Sequence, residues 1–330
     1  MQRRQTKGFE PFIGQHCETV ATGSLLNALG VRLTEPVLFG LGEALGFIML
    51  NLRSLPLPFV GGRSKPFALT EALCRNLKLE CTANETASKQ KAWAVIEAPL
   101  ARGNPVGLQL DCFHLEYFSQ PVHFAGHFVA AYALDEREVS LVDTAQQGSL
   151  QRVSRASLEK ARFAKGPMAA RARSWTIEGP VRALDVRGAV GKAIRANAKS
   201  YLAPQFKGAS FLGIQKLADS LPHWQALAPN PQPDLELVAL LMERAGTGGA
   251  LFRNFYRDFL AQAPEWLGKS AVLADARSLF ADAAGGWTEV AALIDDSART
   301  GENAPLVQAA ARCRQIAELE ITAMKKLVSL

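Results

Sequence analysis

The chain has no long uninterrupted hydrophobic run. Its most apolar region, residues 37–52, is broken by three glycines, a glutamate and an asparagine. It is also shorter than the roughly 20 apolar residues that a membrane-spanning helix needs. The polar and basic residues 1–7 are followed by no apolar stretch of signal-peptide length. We therefore expect a cytoplasmic protein that makes no contact with a membrane.

Cysteine is scarce, and its spacing does not suit a disulfide framework. The five cysteines are Cys17, Cys74, Cys81, Cys112 and Cys313. Their number is odd and they lie far apart, which fits a reducing compartment better than an oxidising one.

The motifs of common metal and nucleotide sites are also missing. His123 and His127 have a four-residue spacing, but the glutamate of the zincin motif does not lie between them, and Cys112 and His114 have no Cys-x-x-Cys partner. The glycine-rich segment 246–249 is not followed by the lysine and serine or threonine of a phosphate-binding loop. We therefore expect no metal and no resident cofactor.

An excess of charge is nearly absent. Lys and Arg total 37 and Asp and Glu total 31, which gives a formal net charge of +6. A nucleic-acid-binding protein usually concentrates more positive charge than this, so we expect no such partner. The excess is concentrated in residues 152–187, which are either a solvated face or a docking surface for an acidic partner.

The pattern of the chain changes near residue 180, and the length of 330 residues suits two domains. We predict an α+β domain over 1–180, with a helix over 18–29 and strands over 127–134 and 138–142. A hairpin-length polar break separates the two strands. An all-α domain over 181–330 is predicted to follow, with helices interrupted by prolines and by glycine pairs such as Gly285 and Gly286.

Three residues could form a nucleophilic site. Cys17 directly precedes an amphipathic helix, where the helix dipole and unpaired N–H groups stabilise a thiolate. His127 begins one predicted strand and Asp143 ends the next, so a hairpin would bring them together as a base and the group that orients it. Each residue alone also has a structural explanation, as a small buried hydrophobe, a core histidine and a turn aspartate.

Several segments resemble the butirosin biosynthesis protein H family. They are Gln15-His16-Cys17-Glu18-Thr19, Phe39-Gly40-Leu41-Gly42-Glu43-Ala44, Gly126-His127-Phe128-Val129 and Val142-Asp143. The helical half resembles the domain of unknown function that usually follows it, through Gly246-Thr247-Gly248-Gly249-Ala250-Leu251-Phe252-Arg253. The resemblance implies a papain-like or peptidase C39-like fold. It also implies transfer of an acyl group from an acyl carrier protein thioester to an amine of an aminoglycoside antibiotic.

The sequence departs from related C39-type peptidases before the nucleophile. Pro11 stands at the spacing where those enzymes usually place a glutamine, and Gln15 is only two residues before Cys17. We therefore assign the oxyanion hole mainly to the Cys17 backbone N–H, with Gln15 as a second candidate. Glu18 either caps the first helical turn or contacts an amine substrate. His16 belongs to the motif, and the residues suggest no specific role for it.

The leading expectation is a cysteine acyltransferase of secondary-metabolite biosynthesis. Its donor would be an acyl carrier protein with a phosphopantetheine arm, and its acceptor a small amine. The basic residues expected to dock the carrier protein are Arg152, Arg155, Arg162 and Arg171. A cysteine hydrolase with the same triad and a noncatalytic binding protein are the alternatives. The helical domain either shapes the acceptor pocket or forms a homodimer.

Overall fold

A computed structural model describes residues 4–5, 8–52, 55–119, 122–180, 184–243 and 249–330. It separates into two compact units, Met1–Leu38 with Pro66–Asp185 and Phe39–Lys65 with Val186–Leu330. We call them the sheet unit and the helical unit. One boundary at residue 180 does not describe this division, because residues 39–65 pack with the helical unit although they precede much of the sheet unit in sequence.

The sheet unit is built on a seven-stranded sheet. Its strands are β1 (Arg4–Gln5), β4 (Glu80–Asn84), β5 (Val106–Leu110), β6 (His127–Leu134), β7 (Glu138–Val142), β8 (Leu150–Ser154) and β9 (Ser174–Glu178). The order is β4-β9-β5-β6-β7-β8, with β1 also paired to β6 and every neighbouring pair antiparallel. The predicted hairpin of β6 and β7 is confirmed, and the α+β class with it.

Helix α1 lies against the middle of this sheet. It contacts β5, β6, β7 and β9, and its residues from Glu18 to Leu26 are all buried. At Gly23 a side chain would overlap the Phe12 ring, with 2.6 Å between the added carbon and the nearest ring atom. Helix α1 spans Cys17–Ala28. The other helices of this unit are α3 (Ala68–Leu77), α4 (Lys89–Ala101) and α5 (Arg155–Phe163).

The helical unit combines eight helices with one hairpin among the described residues. The helices are α6 (Val186–Leu202), α7 (Ser210–Ser220), α8 (Trp224–Leu227), α9 (Pro231–Glu243), α10 (Ala250–Gln262), α11 (Pro264–Leu267), α12 (Ala271–Thr300) and α13 (Ala304–Val328). The hairpin joins β2 (Leu45–Leu50) to β3 (Phe59–Arg63), and α2 (Glu35–Leu41) is the segment in which the chain passes from the sheet unit to the helical unit.

A buried ionic network explains why the hairpin belongs with the helices. Arg253 donates from Nε and Nη2 to the Glu320 carboxylate at 2.7 and 2.8 Å, and from Nη1 to the Gly62 carbonyl at 3.0 Å. Tyr201 and Trp287 donate to the same carboxylate. Because both charged groups are fully buried, every bond they make inside the unit offsets part of their desolvation cost.

The glycine pair at 285–286 does not interrupt a helix as predicted. Residues 271–300 form one helix, α12, which packs along α13. At Gly286 a side chain would lie 2.9 Å from Ile316 of α13, so glycine permits close helix packing here. Residues 246–248 of the quoted helical-domain segment lie outside the described residues. Within the described part of the chain, no helix has both the length and the apolar character needed to cross a bilayer.

Candidate active site

Cys17 lies at the N-terminus of the most buried helix of the sheet unit. It is the first residue of α1, after His16 in an extended N-cap conformation, and it is partly exposed while the residues that follow it are buried. The first N–H groups of a helix have no partner within the helix and carry the positive end of its dipole. The local structure therefore presents a thiol to solvent where negative charge is favoured.

His127 and Asp143 are brought together by the β6–β7 hairpin, as predicted. His127 is the first residue of β6, and Asp143 directly follows β7. The His127 Nε2 atom lies 2.8 Å from Asp143 Oδ2, and both side chains are buried. The Asp143 Oδ1 atom accepts a 2.6 Å hydrogen bond from the Thr144 N–H.

The imidazole ring joins the aspartate to the cysteine. The Cys17 side chain lies close enough to the ring to help raise the pKa of His127, through its charge and through hydrogen bonding. Since Nε2 is engaged with Asp143, Nδ1 is the nitrogen left for the thiol. The ring is thus used in the opposite sense to a serine-protease triad, where Nδ1 binds the aspartate and Nε2 serves the nucleophile. The arrangement can move a proton to and from sulfur.

The electrostatics of the pair favour a charged imidazole. Burial by itself would lower the pKa of His127, but the Asp143 carboxylate and the neighbouring Cys17 raise it well above its ordinary value. Burial would raise the pKa of Asp143, whereas the charge and hydrogen bond of His127 and the Tyr117 hydrogen bond lower it. An imidazolium held in this way stabilises a thiolate beside it.

Tyr117 is a member of the site that sequence reasoning missed. Its hydroxyl donates a 2.6 Å hydrogen bond to Asp143 Oδ2, the same oxygen that faces His127. Burial and the Asp143 charge raise the pKa of Tyr117 well above the ordinary value, so the hydroxyl stays a donor. No motif or strand period marks this tyrosine, because it lies in the irregular segment between β5 and β6.

Glu35 is a second unpredicted residue, and it shapes the loop before Cys17. Its carboxylate accepts hydrogen bonds from the N–H groups of Gln15 and His16 at 3.0 and 2.9 Å and from the Thr19 hydroxyl at 2.7 Å. Burial raises the pKa of Glu35 despite these bonds. At Gly14 an added side chain would lie 2.8 Å from the same carboxylate, so Glu35 would have to shift to admit it.

The same loop is also hydrogen-bonded to the segment that follows β7 and contains Asp143. The Ala145 N–H donates a 2.8 Å hydrogen bond to the Gly14 carbonyl, two residues beyond Asp143 and three before Cys17. Because Gln15 and His16 give their N–H groups to Glu35, the Cys17 N–H remains the backbone candidate for an oxyanion. The Gln15 side chain is exposed.

Glu18 has a structural role in the fold. Its buried carboxylate accepts bonds of 3.1 Å each from the N–H groups of Phe67 and Thr70 and from the Thr70 hydroxyl. These groups form the N-terminus of α3, so Glu18 caps that helix. The predicted contact of Glu18 with an amine substrate stays a prediction. His16 is buried beside Thr19, whose hydroxyl lies 3.4 Å from its Nδ1.

The four arginines predicted to dock a carrier protein do not form one surface. Arg162 is fully buried, donates to the carbonyls of Ala92 and Ala172, and has its pKa lowered by burial to about 10. It cannot meet a partner, so its assignment was wrong.

The remaining three arginines are separated. Arg152 lies on β8 and its side chain is 61% exposed. Arg155 directly follows β8 and forms a 2.6 Å ion pair with Glu97. Arg171 is 79% exposed and lies near Glu85, next to β4. Strands β8 and β4 are opposite edges of the sheet, about 24 Å apart at the usual strand spacing. Arg182 of the same basic stretch lies outside the described residues.

The other cysteines differ from Cys17 in their surroundings. Burial raises the pKa of the Cys112 and Cys313 thiols, and a hydrogen bond from Cys74 to Cys81, together with burial, raises that of Cys74. The Cys112 thiol donates to the Val122 carbonyl at 3.3 Å. Cys81 is also partly exposed, and Cys74 lowers the pKa of its thiol. Of the two partly exposed thiols, Cys17 is the one joined to a histidine.

Comparison with known proteins identifies the family. The model of butirosin biosynthesis protein H, N-terminal, matches residues 16–144, and that of a domain of unknown function (DUF4872) matches residues 156–327. The chain belongs to the butirosin biosynthesis protein H family. The resemblance seen in the sequence is thereby confirmed, and the N-terminal match includes all three residues of the candidate site. A search of the curated proteins finds no match.

Proposed function

We propose that this member of the butirosin biosynthesis protein H family is a cysteine-dependent acyltransferase. It would move an acyl group from an acyl carrier protein thioester to an amine, through an acyl-enzyme on Cys17, and serve secondary-metabolite biosynthesis. The observation that carries the proposal is the connected set of Cys17, His127 and Asp143, with the thiol at a helix N-terminus. The family is named for a protein of antibiotic biosynthesis, which supports a biosynthetic role.

In the first half-reaction the Cys17 thiolate attacks the thioester carbonyl. The oxyanion that forms would accept a hydrogen bond from the Cys17 N–H, with Gln15 as a second donor. When the carbon–sulfur bond to the phosphopantetheine arm breaks, the leaving thiolate takes the proton of the His127 imidazolium. The products are the acyl-enzyme, a neutral His127 and the free carrier thiol. The phosphopantetheine arm belongs to the substrate, and the protein would need no cofactor of its own.

In the second half-reaction the amine attacks the acyl-enzyme. Neutral His127 takes the proton that the amine nitrogen loses, and Cys17 leaves as the thiolate beside the restored imidazolium. Asp143 keeps the ring in one orientation and balances its charge throughout, because Nε2 stays bonded to Oδ2. A thioester is exchanged for another thioester and then for an amide, so the second step drives the sequence forward.

The papain-like assignment belongs to this proposal. It is supported by a nucleophile that begins a buried helix, a histidine on one antiparallel strand and an aspartate at the end of the next. We also place the reaction in the cytoplasm, since the five cysteines are free in a fold with no pairing between distant ones.

Product analysis tests the proposal against hydrolysis. The wild-type protein is incubated with an acyl carrier thioester, with and without a small amine, and the acyl products are identified by mass. Transfer predicts that the amide is the main product when the amine is present and that Cys17→Ala makes neither product. Free acid as the main product at saturating amine would show a hydrolase, and equal turnover by Cys17→Ala would refute a cysteine mechanism.

Alkylation tests the noncatalytic alternative. Iodoacetamide at neutral pH should label Cys17 well ahead of the buried Cys74 and Cys313, because Cys17 is partly exposed at a helix N-terminus beside His127. A protein that only binds a ligand does not require a reactive thiol at this position. Labelling of Cys17 no faster than that of an exposed free thiol would favour the binding protein.

We propose that the carrier protein docks along the β8 edge, where Arg152 and Arg155 adjoin the strand that leads to Asp143. Arg171 is the control, since it is also largely exposed but lies at the opposite edge. Arg152→Glu should raise the KM for the carrier substrate and reduce its salt dependence, while Arg171→Glu leaves both near the wild-type values. The reverse pattern would place docking at the β4 edge, and no change in either variant would remove this surface from the account.

A further inference from the structure

We infer that Asp111, His114 and His123 form a binding site for a zinc-class divalent metal ion. The sequence did not indicate this group, since the pairs weighed and set aside there were His123 with His127 and Cys112 with His114. One ligand atom from each of the three side chains lies within 4.8 Å of the other two. The inference is independent of the proposed acyl transfer and concerns side chains outside the Cys17 triad.

Asp111 is a buried carboxylate with one oxygen already satisfied. Its Oδ1 atom accepts hydrogen bonds from the N–H groups of Phe113 and Phe124 at 3.1 and 2.9 Å. These bonds fix the carboxylate and leave Oδ2 facing His123 Nδ1 at 2.8 Å. Metal-binding carboxylates are held in the same way, by hydrogen bonds to the oxygen that does not coordinate.

The two imidazoles are oriented by one aromatic ring. Phe113 stacks on His123, with 3.8 Å between ring centroids and 14° between planes, and meets His114 edge-on at 5.2 Å. The imidazoles themselves lie 5.9 Å apart. All three candidate ligands are therefore positioned by other contacts, which lowers the cost of ordering them around an ion.

The donor set suits zinc better than calcium or magnesium. Two imidazoles with one carboxylate make a three-ligand tetrahedral site with a fourth position open to water. Ligand atoms around such an ion are about 3.3 Å apart, so the 2.8 Å separation of Asp111 Oδ2 and His123 Nδ1 would widen and separations near 4.8 Å would shorten. The His123 side chain is 65% exposed, so burial does not lock its ring in place. The ion would replace the hydrogen between Asp111 Oδ2 and His123 Nδ1, and the ring proton would reside on Nε2.

The site would brace the segment that carries Tyr117. Asp111 follows β5, whose last residue, Leu110, pairs with His127 on β6. Tyr117 lies between the ligands His114 and His123 in sequence and donates to Asp143. A metal ion held at both ends of this segment would therefore restrict the hydroxyl that contacts the aspartate.

Zinc titration of the full-length chain tests the inference. The measurement uses Cys17→Ala protein, because this change removes the thiol of the candidate catalytic site, where a thiol, an imidazole and a carboxylate also come together. Competition between the protein and a chromophoric zinc chelator gives the affinity and the stoichiometry. Co²⁺ as a second probe reports the ligands, since an N/O site gives visible d–d absorption without the charge-transfer band of a thiolate.

The expected result is one ion per chain, with affinity reduced about 10- to 100-fold or more by His123→Ala and by His114→Ala. His223→Ala is the matched control, an exposed histidine of the helical unit, and should leave the affinity unchanged. Zinc should raise the thermal midpoint of the parent protein but not that of His123→Ala, which alters an exposed side chain and should fold. Parent-like affinity in His123→Ala, a thiolate band with Co²⁺, or no zinc binding would overturn the inference.

Discussion

Replacing Asp143 by asparagine should break the electrostatic coupling on which the candidate site depends. The carboxylate is fully buried, its Oδ2 faces His127 Nε2 at 2.8 Å, and it also accepts from Tyr117. Asparagine keeps the size and one acceptor oxygen but removes the charge. Burial lowers the pKa of His127, and the Asp143 charge that mainly raises it would be gone. The ring would then become neutral at pH 7.

The size of the effect follows from the distance between the charges. Two unit charges about 4 Å apart interact by about 4 kcal/mol at an effective dielectric constant of about 20. That energy corresponds to a factor of about 1,000 in a rate that requires the charged pair. Because the amide retains some hydrogen bonding to the ring, we expect alkylation of Cys17 at pH 7 to slow by about 100- to 1,000-fold.

Two assays read this change independently. Iodoacetamide labelling followed by peptide mass analysis gives the Cys17 rate, and an NMR titration of the histidine ring protons gives the protonation of His127. Asp219→Asn, at an exposed aspartate of the helical unit, is the control and should change neither. The reasoning would be refuted if Asp143→Asn labelled within about threefold of wild type, or if His127 titrated at the same pH in both proteins.

Four further outcomes follow from the contacts. Tyr117→Phe removes one hydrogen bond to a charged group and should lower kcat/KM about 10-fold, without the larger loss of an Asp143 variant. Glu18→Gln should lower the free energy of unfolding by about 1–3 kcal/mol in urea, because the buried cap of α3 is lost. Glu320→Gln should cost about 3–5 kcal/mol in the same assay, since it leaves a buried arginine unbalanced. Because the pKa of His127 is raised and that of Asp143 is lowered, the pair should contribute fully to stability between about pH 4 and 6.5. This contribution is lost as pH rises through the pKa of folded His127 or falls through the pKa of folded Asp143. Unfolding curves should therefore show a larger contribution at pH 5.5 than at pH 9.

The central residues of the site were predictable because each lies at an element boundary that the pattern marks. Cys17 begins a helix that ends near Gly30, His127 begins the first strand of the predicted hairpin, and Asp143 directly follows the second. Antiparallel pairing then places the two residues at the same end of the hairpin. The order of these elements was sufficient to propose the triad.

The supporting residues were not predictable, since their contacts join distant irregular segments. Tyr117 reaches Asp143 across 26 residues, and Glu35 reaches back 20 residues to Gln15. Neither contact follows a helical or strand period, so only the folded chain reveals it. The motif residue Glu18 illustrates the converse, because its proximity to Cys17 in sequence suggested substrate binding while its carboxylate points to α3.

The docking surface and the place of residues 39–65 were not visible in the sequence for a related reason. A run of basic residues implies one charged surface only if the chain stays on one face, and residues 152–171 pass from one sheet edge towards the other. Arg162 lies on the buried side of α5 on the way. Likewise the sequence of the β2–β3 hairpin has no pattern that shows which later helices it packs with. The folded chain reveals this, because the Gly62 carbonyl accepts a hydrogen bond from Arg253.

Intact-mass analysis is the most direct test of the account. The wild-type protein, Cys17→Ala and the control Cys74→Ala, which removes a buried thiol, are each mixed with an acyl carrier thioester, quenched and weighed. The account predicts an added mass equal to the acyl group on wild type and on Cys74→Ala, located at Cys17, and no added mass on Cys17→Ala. An adduct that persists in Cys17→Ala, or none on wild type while the thioester is consumed, would contradict it.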